Sequence, residues 1–352
     1  MSAISGSLPS LFTNLTHRRQ ISDLGAQMER AAQEVSTGEK ADLYRALGHK
    51  SAEAIELQAL LQRTEGFVTG NKALAGRLGY EADVLKSARG VAEEVLALSV
   101  PNRDQPTETV RSLKSAADAA LSRLVPMLNQ SFAGATLFAG AATDTAPLRE
   151  LDAADPATGQ TPRDTLAALI DGPLRTQADV DAALQAIDGF FNDTGAGPGY
   201  RGTLYLGARA EDGGTGARID ETTRLASGFS ADAPAARDIL KGLVMIAGAD
   251  PAAIEDPEAY AGWMDAAVGA LSRGSTALLA AETRLGSQQA TLDETIETQE
   301  TRSDLLKQQI GTLRNVDPFE AATRLTDLQT RLQASYQVSA MLSRMSFLSY
   351  MD

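Results

Sequence analysis

Apolar residues recur at helical spacing towards both ends of the chain, and the pattern lapses in the middle. Near the start, Ile21, Leu24, Met28, Ala31 and Val35 step by 3, 4, 3 and 4 residues, the spacing of a heptad seam. Leu8, Leu11 and Leu15 form an earlier seam one position out of phase. Ser36-Thr37-Gly38 interrupts the pattern, and Gly38 suits a left-handed helix stop. A second helix is predicted from about residue 50 to 99, with Ile55, Leu61, Leu78, Leu85, Val91 and Val95 on a broad apolar face. Pro101 and Pro106 close it. Thr107 and Glu108 open a third helix reaching about Ser131, in which Pro126 is expected to make a kink or a split.

From about residue 134 to 251 the chain is dense in Gly, Pro, Asp and Thr, which mark turns. Thr136-Leu-Phe138 and Thr203-Leu-Tyr-Leu206 read as short strands, and residues 166–170 and 180–191 as short helices. This is the pattern of a smaller α+β domain set between helical ends.

After Pro257 the helical period returns. Leu285, Leu292, Ile296, Leu306, Ile310 and Leu313 share a seam whose remaining positions are Gln289, Gln299 and Ser303. Polar residues at such positions favour register over raw stability. From Ser287 to Leu313 this helix would span about 40 Å. Asp317-Pro318 ends it and opens a last helix, with Asp317 as N-cap and proline in the first turn. In that helix Leu325, Leu328 and Leu332 form one stripe, and Val338, Met341, Met345 and Leu348 continue on an adjacent one.

The fold class expected is therefore mainly α. It is an elongated antiparallel bundle or coiled coil pairing N- and C-terminal helices, with the α+β segment inserted. One partner helix covers one stripe of the last helix and leaves the other wet. The ends, 1–44 with 316–352, are expected to be mobile in a free monomer and to order when neighbouring subunits cover the second stripe. An ordinary four-helix-bundle core would give the same periodicity. Residues 45–140 with 252–315 would form a helical core domain, and 141–251 the inserted one. The subunit-packing candidates are Leu8, Leu11, Leu15, Ile21, Leu24, Met28, Val35, Leu325, Leu328, Leu332, Val338, Met341, Met345 and Leu348.

Composition narrows the chemistry. The 352 residues include no cysteine, which excludes disulfides, thiolate zinc sites and cysteine catalysis. The formal net charge of −14 disfavours nucleic-acid phosphates and anionic membranes as partners. The only histidines, His17 and His49, lie far apart without carboxylates at ligand spacing. The densest apolar run, Gly242 to Gly248, is too short to span a bilayer. The uncharged start is broken by Ser5, Gly6, Ser7 and Pro9, so no cleavable signal is expected. No P-loop, Gly-x-Ser-x-Gly elbow or calcium loop is present. The sequons at Asn14, Asn129 and Asn192 are read as chance occurrences. No cofactor is expected, nor an enzyme.

Two segments carry a resemblance. Met28 to Gly38, MERAAQEVSTG, resembles the N-terminal helix of the bacterial flagellin superfamily. Val316 to Tyr350, containing ATRLTDLQTRLQASYQVSAMLSRMSFL, is similar to that superfamily's C-terminal helix. Leu137-Phe-Ala-Gly140 resembles the point where the family leaves its helical core. Gly38 is followed by Glu-Lys-Ala-Asp-Leu-Tyr-Arg45 rather than a flagellin-like Arg-Ile-Asn-Ser run, and Val-Asp-Pro-Phe-Glu-Ala-Ala resembles the hook–filament junction branch. Filament flagellin is the alternative, and a cytoplasmic coiled-coil scaffold a more distant one. The resemblance implies a structural subunit of the flagellum, exported by the type III route without signal cleavage and extracellular at the hook–filament junction. It implies an outward middle domain and self-association in a ring or tubular array. Its implied partners are hook-associated protein 1, flagellin, and an export chaperone on Leu325 to Leu348.

Overall fold

The computed structural model describes the backbone of residues 7–348, except 157, 171, 196–197, 210–215 and 227, and side chains from residue 15 to 341 with the same exceptions. The elements are α1 (Ser7–Thr37), α2 (Leu43–Leu47), α3 (Ser51–Ser99), α4 (Val110–Leu128), β1 (Ser131–Phe132) and β2 (Ala135–Thr136). They continue with α5 (Pro162–Ala168), α6 (Gln177–Phe191), α7 (Tyr200–Thr203), β3 (Gly216–Arg218), β4 (Arg224–Ala226), α8 (Pro234–Gly248), α9 (Pro257–Arg314) and α10 (Pro318–Leu348). The fold is mainly α, as the periodicity predicts, and the described strands form only two antiparallel pairs, β1–β2 and β3–β4.

Contacts divide the chain into two compact units: residues 1–66 with 299–352, and residues 67–298. The boundaries fall inside α3 and α9 rather than in loops. In the second unit one continuous apolar core runs from Leu78 through Phe138, Tyr200 and Ile239 to Ile296. Residues 141–251 therefore share their core with the flanking helices, where the sequence alone set them apart.

The centre of that unit is α8. Ala235, Ala236, Ile239, Leu240, Leu243, Val244, Met245 and Ile246 are all buried, so most of its surface lies in the core. Its remaining face carries Arg237, Asp238 and Lys241, which pair with Asp232, Arg273 and Asp188. The helix packs against α4, α5 and α6. Two glycines admit α9: a Cβ on Gly242 would lie 2.7 Å from Leu271 Cγ, and one on Gly274 would lie 2.5 Å from Ile239 Cγ1 and 2.8 Å from its backbone nitrogen. Charged pairs fix the rim between α3 and α9. Arg89 bonds Glu282 at 2.7 Å and Glu93 at 2.7 Å, and Ser275 donates to Glu93 at 3.0 Å. The Arg89 guanidinium holds the Glu93 carboxyl below its usual range.

Several expectations are corrected. The third helix starts at Val110 and ends at Leu128, and it runs through Pro126. Proline forfeits the one bond its N–H would make to the carbonyl of Ser122, and the helix continues for two more residues. Thr136 is in a strand, but Leu137 and Phe138 are not. Residues 203–206 form no strand: Tyr200 and Tyr205 stack with ring centroids 6.1 Å apart, while Gly202 turns at φ +92°. Their hydroxyls donate to Ala231 O at 2.7 Å and Ala208 O at 2.6 Å, pulling the chain into the core. The β3–β4 hairpin was not expected. Its turn is held by Asp220 Oδ1, which accepts from Thr222 N and Thr223 N, each at 2.6 Å. Those bonds hold the Asp220 carboxyl down at about 2. The helices expected at 166–170 and 180–191 are Pro162–Ala168 and Gln177–Phe191, each opened by a Thr–Asp capping box. The sequon at Asn129 is occupied structurally: its side chain donates to Leu148 O and accepts from Leu148 N, both at 2.8 Å.

The crossing of α8 and α9 yields a paired prediction. Gly274→Ala forces a methyl group into Ile239 and should destabilise residues 67–298 by about 1–3 kcal/mol. Gly286→Ala meets open space and should add about 0.5–1 kcal/mol. Urea unfolding followed by fluorescence of the buried Trp263, the one tryptophan in the sequence, reads both.

Candidate assembly surface

The unit formed by residues 1–66 and 299–352 begins from a local necessity. Helix α1 must stop at Ser36-Thr37-Gly38, and Gly38 adopts φ +72°, a region closed to most residues with a Cβ. The turn is tied back by Gly38 N donating to Glu34 O at 2.9 Å and by Thr37 Oγ1 donating to Gln33 O at 2.8 Å. It leaves the next residues extended beside the link between α9 and α10. There Val316 N donates to Gly38 O at 2.9 Å and Lys40 N to Arg314 O at 2.8 Å. Glu39 and Asn315 thus form an isolated antiparallel bridge. Side chains reinforce it: Lys40 Nζ donates to Leu313 O at 2.7 Å, and Arg314 Nη2 to Glu39 at 2.9 Å. Asp317 caps α10 by accepting from Phe319 N at 2.8 Å, as the sequence predicts.

From this tie α1 and α10 run antiparallel against each other. Glu34 meets Arg324 at 3.4 Å, and Arg324 also holds Glu320 at 2.7 Å. Gln27, Arg30, Ala31 and Glu34 face Arg324, Asp327, Leu328 and Arg331 across a cleft of about 590 Å³ closed by α2. Ala31, Ala321 and Leu328 are buried, and Ile21, Leu24, Met28, Leu325 and Leu332 are half-buried. These six apolar candidates, Leu328 among them, are therefore engaged within the chain itself.

Val35 departs from the expected seam and is 41% exposed. Glu34 takes the next inward place, where it serves Arg324 and accepts from Ala41 N at 3.3 Å. Leu15 is also exposed. Leu8, Leu11, Met345 and Leu348 lie outside the residues whose side chains are described.

The outer stripe of α10 has a clear chemical asymmetry. Beyond Leu332 the half-buried positions are Ser335 and Ser339, while Val338 is 44% and Met341 69% exposed. Tyr336 and Phe319 are exposed as well, the latter at 86%. Large apolar groups thus face out while small hydroxyls face in, the reverse of a helix meant to end at its one intramolecular partner. The start of α3 and the end of α9 complete the unit. Leu61, Leu306 and Ile310 form a small apolar cluster, flanked by the Lys307–Glu65 pair at 2.9 Å, which raises the Lys307 ammonium above its ordinary value. Ile55 and Leu305 are exposed beside it. The seam positions Gln299 and Ser303 are buried, as the heptad reading requires.

Among the described residues no group of three or more His, Asp or Glu is arranged to hold a metal ion. His17 is half-buried and His49 exposed. No described helix is long and apolar enough to cross a membrane. Exposed seams can be found from periodicity. The Glu39–Asn315 bridge joins residues far apart in sequence and carries no local signal beyond Gly38.

Gly38→Ala places a Cβ at positive φ and should weaken the tie by about 1–2 kcal/mol. Hydrogen exchange at the Val316 amide should then quicken by roughly 5- to 30-fold.

The comparisons bear on this surface. Residues 268–351 match the family model for the bacterial flagellin C-terminal helical region. No curated protein matches the sequence. Among solved structures, a putative flagellar hook-associated protein from Vibrio parahaemolyticus is 13% identical, with TM-score 0.48, covering 75% of this chain and 97% of its own. Bacillus cereus FlgL is 14% identical, with TM-score 0.44, covering 75% and 98%. The resemblance read from the C-terminal sequence is borne out: the stretch running from within α9 through α10 matches the C-terminal helical region of bacterial flagellin.

Proposed function

We propose that this chain is a structural subunit of the bacterial flagellum that joins hook to filament by helical packing with neighbouring copies. It corresponds in role to hook-associated protein 3 and carries out no reaction of its own. The observation that carries this reading is the outward apolar stripe of α10 marked by Val338 and Met341, on a segment that matches the flagellin C-terminal region. A neighbouring helix laid on that stripe would bury it and leave the α1–α10 contact in place. The mechanism is therefore mechanical: one stripe closes the subunit, and a second closes the array.

The junction placement, rather than the filament, rests on the residues after Gly38 and on Val316-Asp-Pro-Phe-Glu-Ala-Ala322. Hook-associated protein 1 and flagellin would be the axial neighbours. An export chaperone would cover Leu325 to Leu348 beforehand, and the subunit would leave the cell without signal cleavage. In the free monomer residues 1–44 and 316–352 would be mobile and would order on assembly. The match of residues 268–351 to the flagellin C-terminal helical region favours filament flagellin as the second reading. Immunogold labelling of purified flagella separates the two: the junction reading expects a band between hook and filament, and the filament reading expects label along the whole length.

Two variants separate the stripes. Leu328→Asp with Leu332→Asp should abolish incorporation by breaking the intramolecular seam. Val338→Asp with Met341→Asp should abolish incorporation while leaving that seam intact. Both should leave the Trp263-monitored unfolding of residues 67–298 unchanged, and sheared flagella read incorporation. Normal incorporation of the Val338/Met341 variant contradicts the outer-stripe reading.

A further inference from the structure

Among the described residues, Glu81 is the one carboxylate that the core encloses completely, and the assembly reading does not use it. It projects from α3, and its Oε1 accepts from the backbone nitrogen of Phe229. Its Oε2 is buried and finds no partner among the described residues. Gln288 stands on α9 and holds the same stretch of chain from the other side: its Nε2 donates to Ala226 O at 2.5 Å. Its Oε1 is also buried and also without a partner.

The register of the two helices sets these groups at one level, and both hold the same stretch of chain. They run antiparallel, with Gly79 facing Gln289 and Arg89 facing Glu282. Glu81 therefore lies at the level of Gln288. Two buried acceptors at one level, each holding one end of residues 226–229, lack a donor. A single hydrogen atom between them satisfies both, whereas leaving both bare costs the desolvation of each.

We propose that Glu81 is a buried proton-binding site whose Oε2–H donates to Gln288 Oε1, so that the proton holds Phe229 and Ala226 against α3 and α9 and its loss loosens them. The charged groups acting on Glu81 are Arg77 on its own helix and Arg284 on α9, and among the described residues the segment itself offers the uncharged Phe229 N–H. Burial outweighs the two arginines and raises the carboxyl from 4.5 to about 7. The sign follows. Between pH 4.5 and about 7 the folded chain holds a proton that the unfolded chain has released. The stability it contributes is complete below 4.5 and is lost as the pH rises to about 7. The segment is also held from elsewhere: Phe229 meets Phe138 edge-on at 6.1 Å, and Asn71 donates to Ile219 O at 2.8 Å. Loosening is therefore local.

Glu81→Gln tests this in the full chain, because a glutamine amide mimics the protonated acid. It accepts from Phe229 N and donates to Gln288 Oε1 at every pH. Urea unfolding read by Trp263 from pH 5 to 8 gives the comparison. Relative to the variant, the wild-type folding constant should fall by up to about tenfold per pH unit until about pH 7. Hydrogen exchange across residues 224–231 at pH 8 should be slower in the variant than in the wild type. Parallel pH curves, or a variant less stable than the wild type at both ends, overturn the proposal. Gln288→Leu checks the acceptor. Its loss should be larger at pH 5, where two bonds break, than at pH 8, where one does; equal losses overturn the assignment to Gln288.

Discussion

The antiparallel contact between α1 and α10 is the constraint on which the terminal unit depends. Neither helix has another large apolar surface within its own unit to lie on, and isolated helices of this length are marginal in water. Their contact line is thin: Ala31, Ala321 and Leu328 are buried, and its flanks are half-exposed. It is pinned at one end by the backbone bridge at Glu39–Asn315 and by the Glu34–Arg324 pair. The Ser-Thr-Gly turn therefore has a physical purpose. Gly38 at φ +72° sends the chain out of α1 where its carbonyl meets Val316 N.

The second unit is organised by the opposite principle. Its core is thick, continuous and centred on α8, a helix buried over most of its surface. Glycines at 242 and 274 let helices approach closely, and Tyr200, Tyr205 and Trp263 fill the remaining volume. A unit packed in this way holds its shape through its own core, whereas the terminal unit rests on one thin contact line.

Much of this was legible from periodicity. The long helices, the stop at Gly38, the cap at Asp317 and the seam through Leu292 and Ile310 follow from spacing and capping chemistry. What was not legible depends on burial from several directions. Helix α8 shows its polar face only in its first half, at Arg237, Asp238 and Lys241, and the apolar run that follows suggests only a segment too short for a membrane. Residues 203–206 have strand-like composition, yet tyrosine hydroxyls and Gly202 draw them into a turn. The seam at Val35 was misread by one place, because Glu34 has an ionic partner 290 residues away. Glu81 gave no sequence signal, since its environment is made by residues 226–229 and by Gln288. On the assembly surface, spacing located the two stripes of α10, and only the structure divides them into an inner line ending in Ser335 and Ser339 and an outer line of Val338 and Met341.

The absence of cysteine makes the central claim directly measurable, since one introduced thiol is a unique probe. Met341→Cys and Leu328→Cys can each be titrated with a thiol reagent, first as purified monomer and then within isolated flagella. The account predicts that the thiol at 341 reacts freely in the monomer and is protected in the assembled structure, with the thiol at 328 protected on assembly as well. Equal reactivity of the thiol at 341 in monomer and assembly would contradict it.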